Sequence, residues 1–111
     1  MPATQLANRQ FLNVPRYAAY TTVLSVDANI IAAPGISYSL PAATLTTNKT
    51  IDVTAINSES DYLEIDNQEA GFVWSFIGGI VYDAYENTVA ILTANTRYIL
   101  RRSNGKIKII N

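Results

Sequence analysis

Apolar and polar residues alternate with a period of two along most of the chain. Ile36, Tyr38 and Leu40 are interleaved with Ser37 and Ser39, and Ile51, Val53 and Ala55 with Asp52 and Thr54. The same alternation recurs at Leu63 and Ile65, at Val89 and Ile91, at Tyr98 and Leu100, and at Ile107 and Ile109. Successive side chains of a strand point to opposite faces, so each run offers one apolar and one polar face. β-Branched and aromatic residues fill most of the apolar positions, as a half-buried pleated surface requires. The pattern predicts strands over 20–26, 36–40, 50–56, 62–65, 72–77, 80–82, 88–92 continuing into 97–100, and 106–110, with a further short one at 29–33.

Turn chemistry separates these runs. Pro34-Gly35 opens one strand and Pro41-Ala42-Ala43 closes it; 57–61 and 67–71 are polar loops, and Gly78-Gly79 splits two apolar segments. Asn104-Gly105 between alternating runs signals a tight hairpin, so 97–102 should pair antiparallel with 106–110. Many short strands at close spacing predict an all-β fold, a small antiparallel β-sandwich of jelly-roll type. No internal repeat of the solenoid kind is visible.

The first 19 residues lack the alternation and form a separate segment ahead of a β domain spanning 20–111. They carry Leu6, Phe11, Leu12, Val14 and Tyr17, apolar residues suited to an anchoring arm that docks on a neighbouring subunit or a larger assembly. A strap across the chain's own domain and a frayed terminus are the alternatives.

Composition narrows the chemistry. The 111 residues include no cysteine and no histidine, which excludes disulfides, thiolate or imidazole metal ligands and His-based proton transfer. Charged residues make up 15% of the chain, and Asn, Thr and Ser supply 28 residues in their place. Charge is depleted at interface cores, so this balance favours a chain that covers part of its surface with copies or partners. The net charge of −1 gives no footprint for nucleic acid, and no apolar run is long enough for a membrane-spanning helix or a secretory leader.

Without His or Cys, catalysis would rest on carboxylates. Glu64 and Asp66 share a strand face and could form an acid–base pair. The wider set of Glu59, Asp61, Glu64, Asp66 and Glu69 could instead hold Ca²⁺. The plain alternative is a solvated face, or intersubunit pairs with Arg97, Arg101 and Arg102, and the expectation is no catalytic residue, metal or cofactor. Among the aromatics, Phe72, Trp74 and Phe76 fall on one side of a nearly all-apolar strand. Filling the core is the first reading of this stripe; the alternative makes it, with Tyr82 and Tyr85, a candidate for an oligomer or glycan contact.

From about Tyr20 onward the chain resembles a small β module of bacteriophage fibres, tail spikes and capsid-decorating proteins. The resemblance is carried by Thr21-Thr22-Val23-Leu24, then Ile36-Ser37-Tyr38-Ser39-Leu40-Pro41-Ala42-Ala43-Thr44 and Lys49-Thr50-Ile51-Asp52-Val53. Tyr62-Leu63-Glu64-Ile65 and the closing Asn104-Gly105-Lys106-Ile107-Lys108-Ile109-Ile110 complete it. Ile107 stands where such modules commonly place an aromatic. The resemblance implies a homotrimeric virion structural protein: a capsid decoration, head-fibre or tail-fibre component. It would be assembled in a bacterial host cytoplasm, joined to other virion proteins and non-enzymatic. A carbohydrate- or receptor-binding module using Tyr62, Trp74, Tyr82 or Tyr85 is the alternative.

Overall fold

The structure, a computed structural model, describes residues 21–111. The arm at 1–19 and its Leu6, Phe11, Leu12, Val14 and Tyr17 lie outside the described residues, as does Tyr20. The strands are β1 (Thr21–Leu24), β2 (Ile30–Ile31), β3 (Ile36–Leu40), β4 (Lys49–Asp52), β5 (Tyr62–Asn67), β6 (Trp74–Ile77), β7 (Val81–Tyr82), β8 (Thr96–Ser103) and β9 (Lys106–Ile109). Among the described residues there is no helix, as the alternation predicts.

The pairing differs from the expected antiparallel sandwich. One sheet has the order β1-β3-β5-β8-β9-β7 and the other β2-β4-β6. The first six strands therefore alternate between two sheets, and within each sheet they run parallel. The path is solenoid-like: strand, crossing, strand in the other sheet, crossing back. A jelly roll is built of antiparallel neighbours, whereas here only β5 with β8 and β8 with β9 are antiparallel. The physical reason lies in the connections. A two-residue turn can join antiparallel strands, but parallel neighbours need a long crossover. Here the path from each of the first parallel strands to its neighbour runs through a strand of the other sheet, and only Asn104-Gly105, where φ is 54° and 76°, is a two-residue turn between paired strands. Positive φ at both central residues is what a type I′ hairpin turn demands, and β8 and β9 pair around it as the sequence predicts.

Register fixes which side chains face inward. Tyr38 pairs with Ile65, and Ile65 with Tyr98; in the smaller sheet Ile30 pairs with Ile51, and Ile51 with Phe76. The period of two then aims Tyr38, Leu40, Leu63, Ile65, Tyr98 and Leu100 from one sheet at Ile51, Trp74 and Phe76 from the other. All belong to one buried cluster. Trp74 and Phe76 thus fill the core instead of presenting a stacking platform, while Phe72, ahead of the strand, is 40% exposed.

Two devices on the strand ends show where the neutral polar residues go. Asn29 and Asn48 immediately precede β2 and β4. Their Oδ1 atoms accept hydrogen bonds from the backbone N–H of Thr50 at 3.0 Å and of Val73 at 2.9 Å. Each amide thereby carries the parallel ladder one step past the strand. The second device is used twice. The Tyr38 hydroxyl accepts from the N–H of Ala33 and the Tyr98 hydroxyl from that of Thr93, both at 2.8 Å and both five residues back. In each case the residue three before the tyrosine, Gly35 or Asn95, has positive φ. In each case the leucine two after it, Leu40 or Leu100, is fully buried.

The expected strand over 88–92 is a correction. This segment makes isolated bridges, Tyr82 with Thr88 and Ser75 with Ile91, and so divides itself between β7 and β6. Along β6 it closes the edge: Phe76 donates its N–H to Ala90 O at 2.8 Å and Leu92 to Trp74 O at 3.0 Å. The opposite end of the coil has no such cover among the described residues. There β1 and β2 are edge strands, and Leu24, Val26 and Ile31 are exposed.

Candidate functional site

The five acidic residues singled out by sequence do not converge. Glu59 clasps the hairpin turn, accepting from the N–H groups of Asn104 at 2.8 Å and Gly105 at 2.9 Å. Asp61 accepts from Ser58 N–H within its own loop. Glu64 is buried and tied to Arg97 Nη2 at 2.8 Å and to the Ser37 hydroxyl at 3.0 Å. Asp66, on the same strand face, accepts from the Gln68 side-chain amide at 2.7 Å. Glu64 is thus occupied by partners of its own chain, an ion pair inside the subunit where the sequence reading offers pairs between subunits. Among the described residues no three Asp or Glu side chains gather as metal ligands would.

Glu69 is buried still more deeply than Glu64, and nothing in the residue pattern hints at its role. One carboxylate oxygen accepts from Thr44 N–H at 3.0 Å and Leu45 N–H at 3.1 Å, the other from Gly71 N–H at 2.9 Å and Phe72 N–H at 3.3 Å. It ties two loops together, each with donors that no strand satisfies. These bonds, that from Leu45 foremost, favour the charged form and hold the Glu69 carboxyl below its usual range despite desolvation.

A second ionic cluster sits at the end of the larger sheet. Glu86, in a turn held by Asp83, receives Lys108 Nζ at 2.8 Å on one oxygen and Lys106 Nζ at 2.9 Å on the other. Hydrogen bonds from Lys108 and then Lys106 lower the Glu86 carboxyl to about 2, and the Glu86 bond raises Lys106. Lys106 Nζ also lies 5.1 Å from the centre of the Tyr82 ring, within cation–π reach.

Both lowered carboxyls have the same consequence for stability. A carboxyl whose folded value is depressed stabilises the fold above its unfolded value, and that contribution fades as pH falls toward the folded one. Melting temperature should therefore hold at neutral pH and fall from the ordinary glutamate range down to about pH 2, where Glu86 titrates. High salt screens the exposed Glu86–lysine pairs but not Glu69. In high salt, thermal melts of Glu69→Gln should accordingly show a lower midpoint at neutral pH and a shallower acid limb than the wild type. An acid limb unchanged by the substitution would show that Glu69 is not its source.

Beside the Glu86 cluster a groove of about 290 Å³ opens where three parts of the fold meet. β7 brings Tyr82, the β8–β9 hairpin brings Arg102 and Lys106, and the crossings after β4 and β6 bring Thr54 and Gly78-Gly79. Its apolar lining is Ile80, which is exposed, above the buried Val53, Ile56 and Ile107. Arg102 is held from behind, donating from Nη1 to Ile56 O at 3.1 Å. Gly78 has φ of +81°, and a Cβ there would collide with Asp52 Oδ1 and Thr54 Oγ1. The turn therefore lies flat against the β4 end and leaves the groove open.

Of the aromatics proposed from sequence, only Tyr82 belongs to this groove. Tyr85 is 84% exposed in the neighbouring turn, and Tyr62 stands on the outer face of β5 with Glu64 and Asp66. Sequence reasoning offers Arg102 only as a pairing partner of the acidic residues and so misses it as a groove residue. Its inward register opposite Ile107 is the signal that separates it from Arg101.

Comparison of the chain with protein-family models, with curated proteins and with solved structures finds no match. Among the described residues no helix is long and apolar enough to cross a membrane.

Proposed function

We propose that the chain is a structural module of a bacteriophage-type particle: a capsid decoration, head-fibre or tail-fibre component that works by assembly rather than catalysis, as a homotrimer. The observation that carries this reading is the contrast between the outer faces of the two sheets. On the larger sheet the outer face holds Asp66, Arg97, Arg101 and Lys108, with Glu64 buried under Arg97, a charged surface suited to water. On the smaller sheet the outer row is Ile31, Asp52 and Ile77 in register, flanked by Thr50, Ser75 and Ile91. Ile31 is 78% exposed, and Ile77 and Ile91 are also exposed. Asp52, the one charge in these rows, already accepts from Thr54 N–H and its hydroxyl.

Such a face meets its own copies without stripping water from ions, and desolvation of charge is the main cost of burying a polar surface. Cyclic symmetry closes the contact and keeps it from growing into a filament. Burial between copies also adds stability that a small single core lacks. The virion setting rests on the resemblance, and the role of the arm at 1–19 on its apolar residues Leu6, Phe11, Leu12, Val14 and Tyr17.

The test is mass in solution. The wild type should scatter light as a trimer. The double variant Ile31→Lys with Ile77→Lys should be a folded monomer, with circular dichroism unchanged, because both positions point away from the core. A wild-type monomer would sink the assembly reading, and a double variant that stays trimeric would move the interface elsewhere.

A further inference from the structure

We infer that the groove between Arg102, Lys106 and Tyr82 binds a small carboxylated ring, of the size of one acidic sugar residue. The carboxylate would lie on the Arg102 guanidinium and the ring against Tyr82 and the apolar lining. This goes beyond the assembly reading and does not depend on it.

Arg102 carries the argument. It is half-buried, and its bond to Ile56 O uses one of the five N–H donors of a guanidinium. That partner is a neutral carbonyl. Among the described residues Arg102 forms no ion pair. Glu59, whose charge interacts with it, is committed to the hairpin amides. A planar fork anchored from behind and lining an open groove suits a bidentate carboxylate. Lys106 differs: its ammonium is already bonded to Glu86, which it shares with Lys108, so it adds field and covers Tyr82 but leaves the main contact to Arg102.

The remaining lining selects the body of the ligand. Val53, Ile56 and Ile107 are buried and form the floor, so the apolar surface on offer is Ile80 and the Tyr82 ring, which give a bare inorganic anion nothing to pack on and suit the apolar face of a ring. At about 290 Å³ the groove stands at the lower end of small-molecule sites, room for one ring rather than a peptide or a long chain threaded through it. Thr54 offers a hydroxyl at the rim, and the flat Gly78-Gly79 turn offers backbone at close approach.

The experiment titrates the full chain with glucuronate, glucose and acetate, following the backbone amides of Gly78, Gly79 and Gly105 by NMR. Glucuronate should shift these amides saturably. Glucose, without the carboxylate, and acetate, without the ring, should each bind at least about tenfold more weakly. Arg102→Gln should abolish the response while the rest of the spectrum is unchanged, and Arg102→Lys should retain part of it. Should Arg102→Gln disturb the fold, Tyr82→Ala serves in its place and should weaken glucuronate more than acetate. An oligosaccharide ending in glucuronate distinguishes the source: tighter binding than the free acid identifies a glycan end, equal binding a free small acid. Glucuronate binding no better than glucose or acetate, or binding that survives Arg102→Gln, would overturn the assignment. None of these readouts depends on whether the chain is a trimer.

Discussion

Trp74→Ala should destabilise the fold by about 3–5 kcal/mol, the usual range for emptying a large aromatic site in a core. Trp74 is 1% exposed and begins β6, the strand bonded to β4 on one side and to the 88–92 segment on the other. Alanine leaves a cavity that rigid sheet neighbours cannot collapse into. Domains commonly hold only about 5–15 kcal/mol in total, so the variant should be largely unfolded at moderate denaturant. Trp74→Phe is the informative companion. Among the described residues the indole Nε1 is buried without an acceptor, so phenylalanine removes an unpaired donor along with some volume. Its cost should be clearly smaller than that of alanine. Urea unfolding followed by circular dichroism measures both, and a Phe variant as unstable as the Ala variant would mean that the indole N–H contributes a bond.

Gly78→Ala should cost about 2–3 kcal/mol, although it adds one methyl group at an exposed turn. The left-handed conformation at φ +81° already disfavours any side chain. The added Cβ also meets Asp52 Oδ1 and Thr54 Oγ1, which are bonded to each other and cannot step aside without losing that bond. Gly35→Ala is the control. It has a similar φ of +78° with nothing near the new Cβ, so it should show the conformational penalty alone. Equal losses at the two sites would remove the collision from the explanation.

What sequence revealed and what it hid divide along a physical line. Face and strand position were legible, because alternation is a local property: Tyr38, Leu40, Leu63, Ile65 and Leu100 all point where a period of two sends them. The β8–β9 hairpin was legible because Asn104-Gly105 sets its own turn. Strand partners were not, since parallel pairing is decided by crossings that leave no local mark. The coil also hides from a repeat search. Thr21 and its partner Ile36 are 15 residues apart, whereas Ser37 and Glu64 are 27 apart, so no fixed period exists. The tyrosine device was present in the sequence as Ala33-Pro34-Gly35 with Tyr38 and Leu40, and again as Thr93-Ala94-Asn95 with Tyr98 and Leu100. Aligning those two stretches would have found it. Glu69 could not have been read ahead, because its four donors come from two loops brought together only by the fold.

The order of the larger sheet has a consequence for how it closes. The hairpin is the local pairing in that sheet, yet it comes after every other strand: β8 inserts beside β5, and β9 lies between β8 and β7. Until the hairpin docks, β5 has only β3 as a neighbour and β7 has no partner in its sheet. A hairpin forms quickly, whereas distant pairings are slow to close. Sealing the sheet is therefore a late docking step, and until it happens the open sides of β5 and β7 are templates for a strand from another copy.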